Sequence, residues 1–124
     1  MRFLMLVKHG EITGPPPPAF LEAMAKMGED AAKSGTMIAS GGLVPISKST
    51  RVRLSRGQVT AIDGPYTEAK EVVGGFAMFE LKSKEEAIEG AKSFMELHKK
   101  YWPGWEGETE IRQVLGPEAF EQKS

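Results

Sequence analysis

A chain of 124 residues has the length of one domain, and 40% hydrophobic with 27% charged residues is an ordinary globular balance rather than a disordered one. The 16 basic and 17 acidic side chains leave a formal net charge of −1, which argues against non-specific nucleic-acid binding, though not against a local basic patch. With no cysteine and only two histidines there is no disulfide, no thiolate nucleophile and little for a His-rich metal site, so neither metal nor cofactor is expected.

The chain starts with a continuous apolar run, Phe3 to Val7, flanked by Arg2 and Lys8. It is too short for a membrane span and has the length of a strand, which predicts a cytoplasmic protein with no membrane partner. Phe3, Met5 and Val7 alternate with Leu4 and Leu6, so both faces are apolar, and His9 ends the strand in phase with Phe3. Gly10 to Pro18 is a loop closed by four prolines, a stiff connector in which Pro18 serves as the first residue of a helix. That helix runs to about Ser34 with Phe20, Met24, Met27 and Ala31 at helical spacing, and Gly35 is placed to end it.

Thr36 to Val44 reads as a second strand, loosened by Gly41-Gly42 and stopped by Pro45. A hairpin follows. Arg51 to Leu54 and Val59 to Ile62 are its strands, and Ser55-Arg56-Gly57-Gln58 is its turn. Arg51, Arg53 and Arg56 form a basic strip, read either as solvated edge-strand charge or as an anion-binding surface. Asp63-Gly64-Pro65 is a turn, and Tyr66-Thr67-Glu68-Ala69-Lys70-Glu71 then gathers a phenol, two carboxylates and an ammonium. The strand from Val72 to Leu81 is apolar on both faces after its paired glycines, Gly74-Gly75. Ser83-Lys84-Glu85-Glu86 is a capping box that starts a second helix, which runs to about Lys99 with Ala87, Ala91, Phe94, Met95 and then His98 on its apolar stripe. Tyr101 to Trp105 is an aromatic turn, Glu108 to Leu115 the last strand, and Pro117 to Ser124 a polar tail.

Strand, helix, strand, hairpin, strand, helix, strand is a ferredoxin-like α+β order with an added β-hairpin, and the whole of 1–124 reads as one domain. Two helices cover one face of such a sheet. Since two of its strands are apolar on both faces, the expected partner is a second copy: a homodimer with sheets face to face, a dimeric α+β barrel.

Asp63-Gly64-Pro65-Tyr66-Thr67-Glu68-Ala69-Lys70-Glu71 followed by Gly74-Gly75-Phe76 resembles the DGPF-A-E-T-K-E…GGF/Y motif of the YCII-related family, DGPF branch. The frame is similar as well, from the Gly35–Pro45 stretch to Trp102-Pro103-Gly104-Trp105 and the Glu110–Val114 strand, so the likeness covers nearly the whole chain. Tyr66 stands where the motif has Phe, and Thr67-Glu68-Ala69 varies on Ala-Glu-Thr. The resemblance implies a dimeric α+β barrel and a family largely without assigned biochemistry. It also implies an Asp and a His meeting in a cleft, from which enzymatic activity has been inferred for the wider group, and it links some relatives to transcription initiation.

The candidate site residues follow. His9 and Asp63 are the candidate catalytic pair, since an imidazole oriented by a carboxylate transfers protons near neutral pH. Tyr66, Glu68, Lys70 and Trp102 are candidate contacts to an unidentified small-molecule ligand. The sequence contains no Walker loop, dinucleotide fingerprint, HExxH or nucleophile elbow. Two functions stand side by side: a cofactor-free enzyme doing acid/base chemistry on a small organic molecule, and a non-catalytic ligand-binding or regulatory accessory module in which the Asp63–Glu71 segment is structural.

Overall fold

The computed structural model describes residues 1–10, 14–65 and 72–117. Its elements are β1 (Arg2–His9), α1 (Pro18–Lys33), β2 (Met37–Gly42), a 3-10 turn (Ile46–Lys48), β3 (Thr50–Ser55), β4 (Gln58–Asp63), β5 (Val72–Glu80), α2 (Lys84–Tyr101) and β6 (Gly107–Val114). Four strands form one sheet in the order β2-β5-β1-β6, and β3 with β4 form a separate two-stranded ribbon. All pairings are antiparallel. This is the ferredoxin-like α+β arrangement, with the hairpin inserted between β2 and β5. None of the described helices is long and apolar enough to cross a membrane.

The local chemistry accounts for the element ends. α1 starts at Pro18, with its ring at the first helical position where no N–H is needed. It ends in a Schellman motif: Gly35 N–H donates to Ala32 O at 3.1 Å and Thr36 N–H to Ala31 O at 3.3 Å. The hairpin turns through Arg56 (φ 53°) and Gly57 (φ 78°), the paired positive φ of a type I′ turn, whose twist matches the ribbon's. Ser83 Oγ accepts from Glu86 N–H at 3.2 Å, while the Glu86 carboxylate reaches back to Lys82 N–H at 3.1 Å, one residue earlier than a standard capping box.

Phe3 and Met5 of β1 are buried against Ala87 and Ala91 of α2, with Phe79, Leu81 and Ile111 packed around them. Small residues on α2 let the helix lie close to the sheet. α1 is tied in more lightly: Phe20 is its one buried side chain among the described residues, and Met24 of the expected apolar stripe is exposed. β2 is shorter than the sequence predicts, ending at Gly42. α2 is longer by two residues and carries the aromatic turn's Tyr101 as its last residue.

Register fixes which side chains share a face. Leu4 lies opposite Met78 and Arg112, and Leu6 opposite Phe76 and Glu110. These side chains alternate with Phe3 and Met5, so they occupy the face away from the helices. On that face Lys8 Nζ donates to Glu110 Oε1 at 2.8 Å, and Arg112 Nε lies 3.3 Å from Glu110 Oε2. The Lys8 hydrogen bond holds the Glu110 carboxyl below its ordinary range.

Candidate functional site

The candidate site lies at the end of the sheet where β1 stops and β5 and β6 begin. His9 is the last residue of β1 and pairs with Val72 on one side and Gly107 on the other. The β1–β5 register shifts just before it. Val7 faces Gly75 and Lys8 faces Val73, so Gly74 is the extra residue of a β-bulge. The reason is steric: a Cβ on Gly74 would lie 2.6 Å from His9 Nε2 and 2.7 Å from its Cδ2. The imidazole occupies the space that any other residue's side chain would claim. His9 Nδ1 lies 2.7 Å from Gly10 O, which sets Nδ1 as the protonated nitrogen and leaves the lone pair on Nε2.

Gly107, opposite His9, is just as confined. A Cβ there would run into the Lys8 carbonyl oxygen and come within 2.5 Å of the Trp105 indole. Trp105 is held by a turn that the sequence builds for it. Trp102 O accepts from Trp105 N–H at 3.1 Å across Pro103 and Gly104, and Gly104 has φ 85°. Pro followed by a positive-φ Gly is the type II pattern. The turn folds both indoles back over the end of α2, whose cap N–H at Trp102 donates to His98 O at 2.8 Å.

His98 is the hub of the resulting aromatic cluster. Its ring centroid lies 4.5 Å from Phe20, 4.6 Å edge-on from Phe94 and 4.1 Å from Trp105, with the Trp102 ring parallel at 6.4 Å. Nδ1 lies 2.8 Å from Phe94 O, one helical turn back. Burial pushes the His98 pKa below its ordinary value, and the hydrogen bond to the Phe94 carbonyl offsets this only in part. The imidazole is neutral near pH 7. Beside it an open cleft of about 400 Å³ is bounded by Met95, His98, Lys99, Trp102, Trp105 and Glu106.

Asp63 belongs to the hairpin ribbon. It ends β4, in the other sheet, and its Oδ1 accepts from Thr50 Oγ1 across the ribbon at 2.8 Å. The next residue, Gly64, donates its N–H to Ser49 O at 2.9 Å, and the Gly64–Pro65 peptide is cis. No hydrogen bond joins His9 to Asp63 among the described residues; each has a partner of its own. Tyr66, Glu68 and Lys70 lie outside the described residues. Trp102 bounds the cleft.

A family model of the YCII-related domain matches residues 1–96 of this sequence. The chain belongs to the YCII-related family. A comparison with curated proteins returned no match. The YCII-related match takes in His9, Asp63 and Gly74 but stops before His98, Trp102 and Trp105, so the aromatic cleft lies largely in the part of the chain that follows the match.

Sequence reasoning placed His98 correctly on the apolar stripe of the second helix of this YCII-related chain but gave it no part in a site. The signal was present in the spacing: Phe94, His98 and Trp102 recur every four residues on one helix face, with Trp105 brought back by a Pro-Gly turn.

Proposed function

We propose that this YCII-related chain is a homodimeric module of the DGPF branch that binds a small organic molecule, with the 63–71 segment in a structural role. Assignment to the branch is supported by the nine-residue motif that starts at Asp63. The observation that carries the functional reading is the Thr50–Asp63 hydrogen bond. A carboxylate that closes the base of a hairpin is committed to holding a turn, and the adjacent Gly64–Ser49 bond works in the same place. The ligand is taken up at the sheet end beside His9 and the aromatic cleft.

Dimerisation is supported by apolar surface that the described residues leave partly or wholly uncovered. Leu4, Leu6, Phe76 and Met78 line the sheet face away from both helices. Val52, Leu54 and Val59 of the hairpin share one side of the ribbon and are 72%, 72% and 70% exposed. Patches of this kind mark an interface in a stable protein. A second copy covers both at once and forms the barrel.

A second reading has its own support. The contact to Gly10 O occupies His9 Nδ1 and leaves Nε2 as the nitrogen available to a substrate, and an imidazole held by one nitrogen is competent for proton transfer through the other. In that reading the protein is a cofactor-free isomerase or lyase.

One pair of variants separates them. In the binding module, Asp63→Asn lowers the melting temperature and leaves the dimer and its ligand uptake intact, while His9→Ala leaves the fold intact and the protein shows no turnover with or without it. In the enzyme, small carbonyl acids incubated with the protein in D2O gain deuterium by NMR, and His9→Ala abolishes the exchange without unfolding the protein. Observing that exchange would displace the binding-module reading.

A further inference from the structure

The cleft at the end of α2 holds one polar group that packing does not explain. His98 is 4% exposed, and its Nδ1–H is committed to Phe94 O. Nε2 therefore carries a lone pair, and it has no hydrogen-bond partner among the described residues. It is not sealed in either. Thr109 Oγ1 is the one fully enclosed side-chain polar atom without a partner among the described residues, so Nε2 retains an opening. His98 is one of the residues that bound the cleft. An acceptor at an opening is met by water when nothing else is bound, and a ligand that brings a donor can take the water's place.

The remaining walls say what shape the donor arrives on. Trp102, Trp105 and Met95 offer two indole surfaces and a thioether, which favour a flat ring over a branched aliphatic chain. Lys99 and Glu106 bring one charge of each sign, so no net charge selects for an anion or a cation. A neutral histidine accepts a hydrogen bond but does not neutralise a carboxylate.

We propose that this cleft binds a flat aromatic ring bearing an O–H or N–H donor, of the phenol or indole class, with the donor on His98 Nε2 and the ring against Trp102 and Trp105. The proposal rests on the ligand-binding reading above and gives that reading a chemical class. It concerns residues that mostly follow the YCII-related match.

The chain has two tryptophans, and both bound the cleft, so tryptophan emission reports on this one place. The full-length protein is titrated with phenol and, separately, with toluene, which has the same shape and no donor. Phenol is expected to give a saturable change in emission, with toluene weaker by about tenfold or more, the ratio for one well-made hydrogen bond. In His98→Phe, which keeps an aromatic ring and removes the acceptor, the two affinities converge. Circular dichroism establishes that the variant is folded; should it fail to fold, the wild-type ratio decides alone. Equal saturable affinities in the wild-type protein would overturn the ligand class while leaving a ligand pocket. No saturable change with either compound would overturn the cleft as the site. A phenol preference that survives in His98→Phe would overturn the role given to Nε2.

Discussion

Replacing Gly74 by alanine tests how tightly the sheet end is built around His9. The added Cβ would come to 2.6 Å from Nε2, so the imidazole must leave its place. Leaving breaks the Nδ1 contact to Gly10 O, worth about 0.5–1.5 kcal/mol, and any residual crowding adds about 1 kcal/mol, the low end for overpacking. Against this, Gly74 has a φ outside the left-handed region, so alanine is free of backbone strain and restricts the unfolded chain, a gain of about 0.4–1 kcal/mol. The net is a loss of about 1–1.5 kcal/mol in the wild-type background. With His9→Ala already in place the obstruction is gone, and Gly74→Ala is expected to stabilise by about 0.5 kcal/mol. The two sites are thus coupled by about 2 kcal/mol. Urea unfolding of the four proteins measures the cycle, and the His9 Hδ2 chemical shift reports whether the ring has moved. Equal effects of Gly74→Ala in both backgrounds would refute the argument, because the glycine would then not be there for the imidazole.

Other outcomes follow from the same geometry. Ser83→Ala removes the acceptor for Glu86 N–H and should cost about 1 kcal/mol by urea unfolding, with the cleft's ligand uptake unchanged. His98 should make stability depend on pH with a definite sign. Its folded pKa is lowered, so below its ordinary value of 6.5 the unfolded chain binds the proton and the folded chain resists it; stability is full above that pH and falls as the pH drops through the window beneath it. Melting curves from about pH 7.5 to about pH 5 should therefore slope less in His98→Phe than in the wild type, and equal slopes would exclude His98 as the cause. Leu6→Asp places a charge in the middle of the sheet face away from the helices and should keep the proposed dimer from forming in sedimentation at micromolar concentration, with helix content kept. A wild-type chain that already sediments as a monomer would remove the dimer altogether.

Much of the fold was legible because its signals are local. Strand alternation in 3–7, proline at the start of α1, the positive-φ residues of the hairpin and the Ser83 cap each act over a few residues, and each was read from the pattern at its own position. The both-faces-apolar character of β1 and β5 was legible too, and register assigns its two halves to opposite sides of the sheet. What the sequence could not give is what depends on distant chain segments. That Gly74 forms a bulge against His9 follows from the antiparallel pairing of segments more than sixty residues apart, and no periodicity encodes it. A meeting of His9 with Asp63 depends on how two strand ends from different sheets come together, which no local pattern encodes; what the ribbon shows is Thr50 donating to Asp63 from across the hairpin. His98 was visible as a core position. Its part in a cleft depends on Trp105 returning through the Pro103-Gly104 turn and on Phe20 arriving from α1, neither of which a single-helix pattern reveals.

β1 lies between two strands of the sheet that are both distant from it in the chain: Arg2 pairs with Glu80 on one side and with Val114 on the other. This apolar strand is thus made before either of the strands that satisfy it. During translation it stays unpaired until β5 has left the ribosome, and its other edge stays open until β6 follows, so holdase chaperones and a slow, non-local nucleation step bear directly on how much of this protein a cell accumulates.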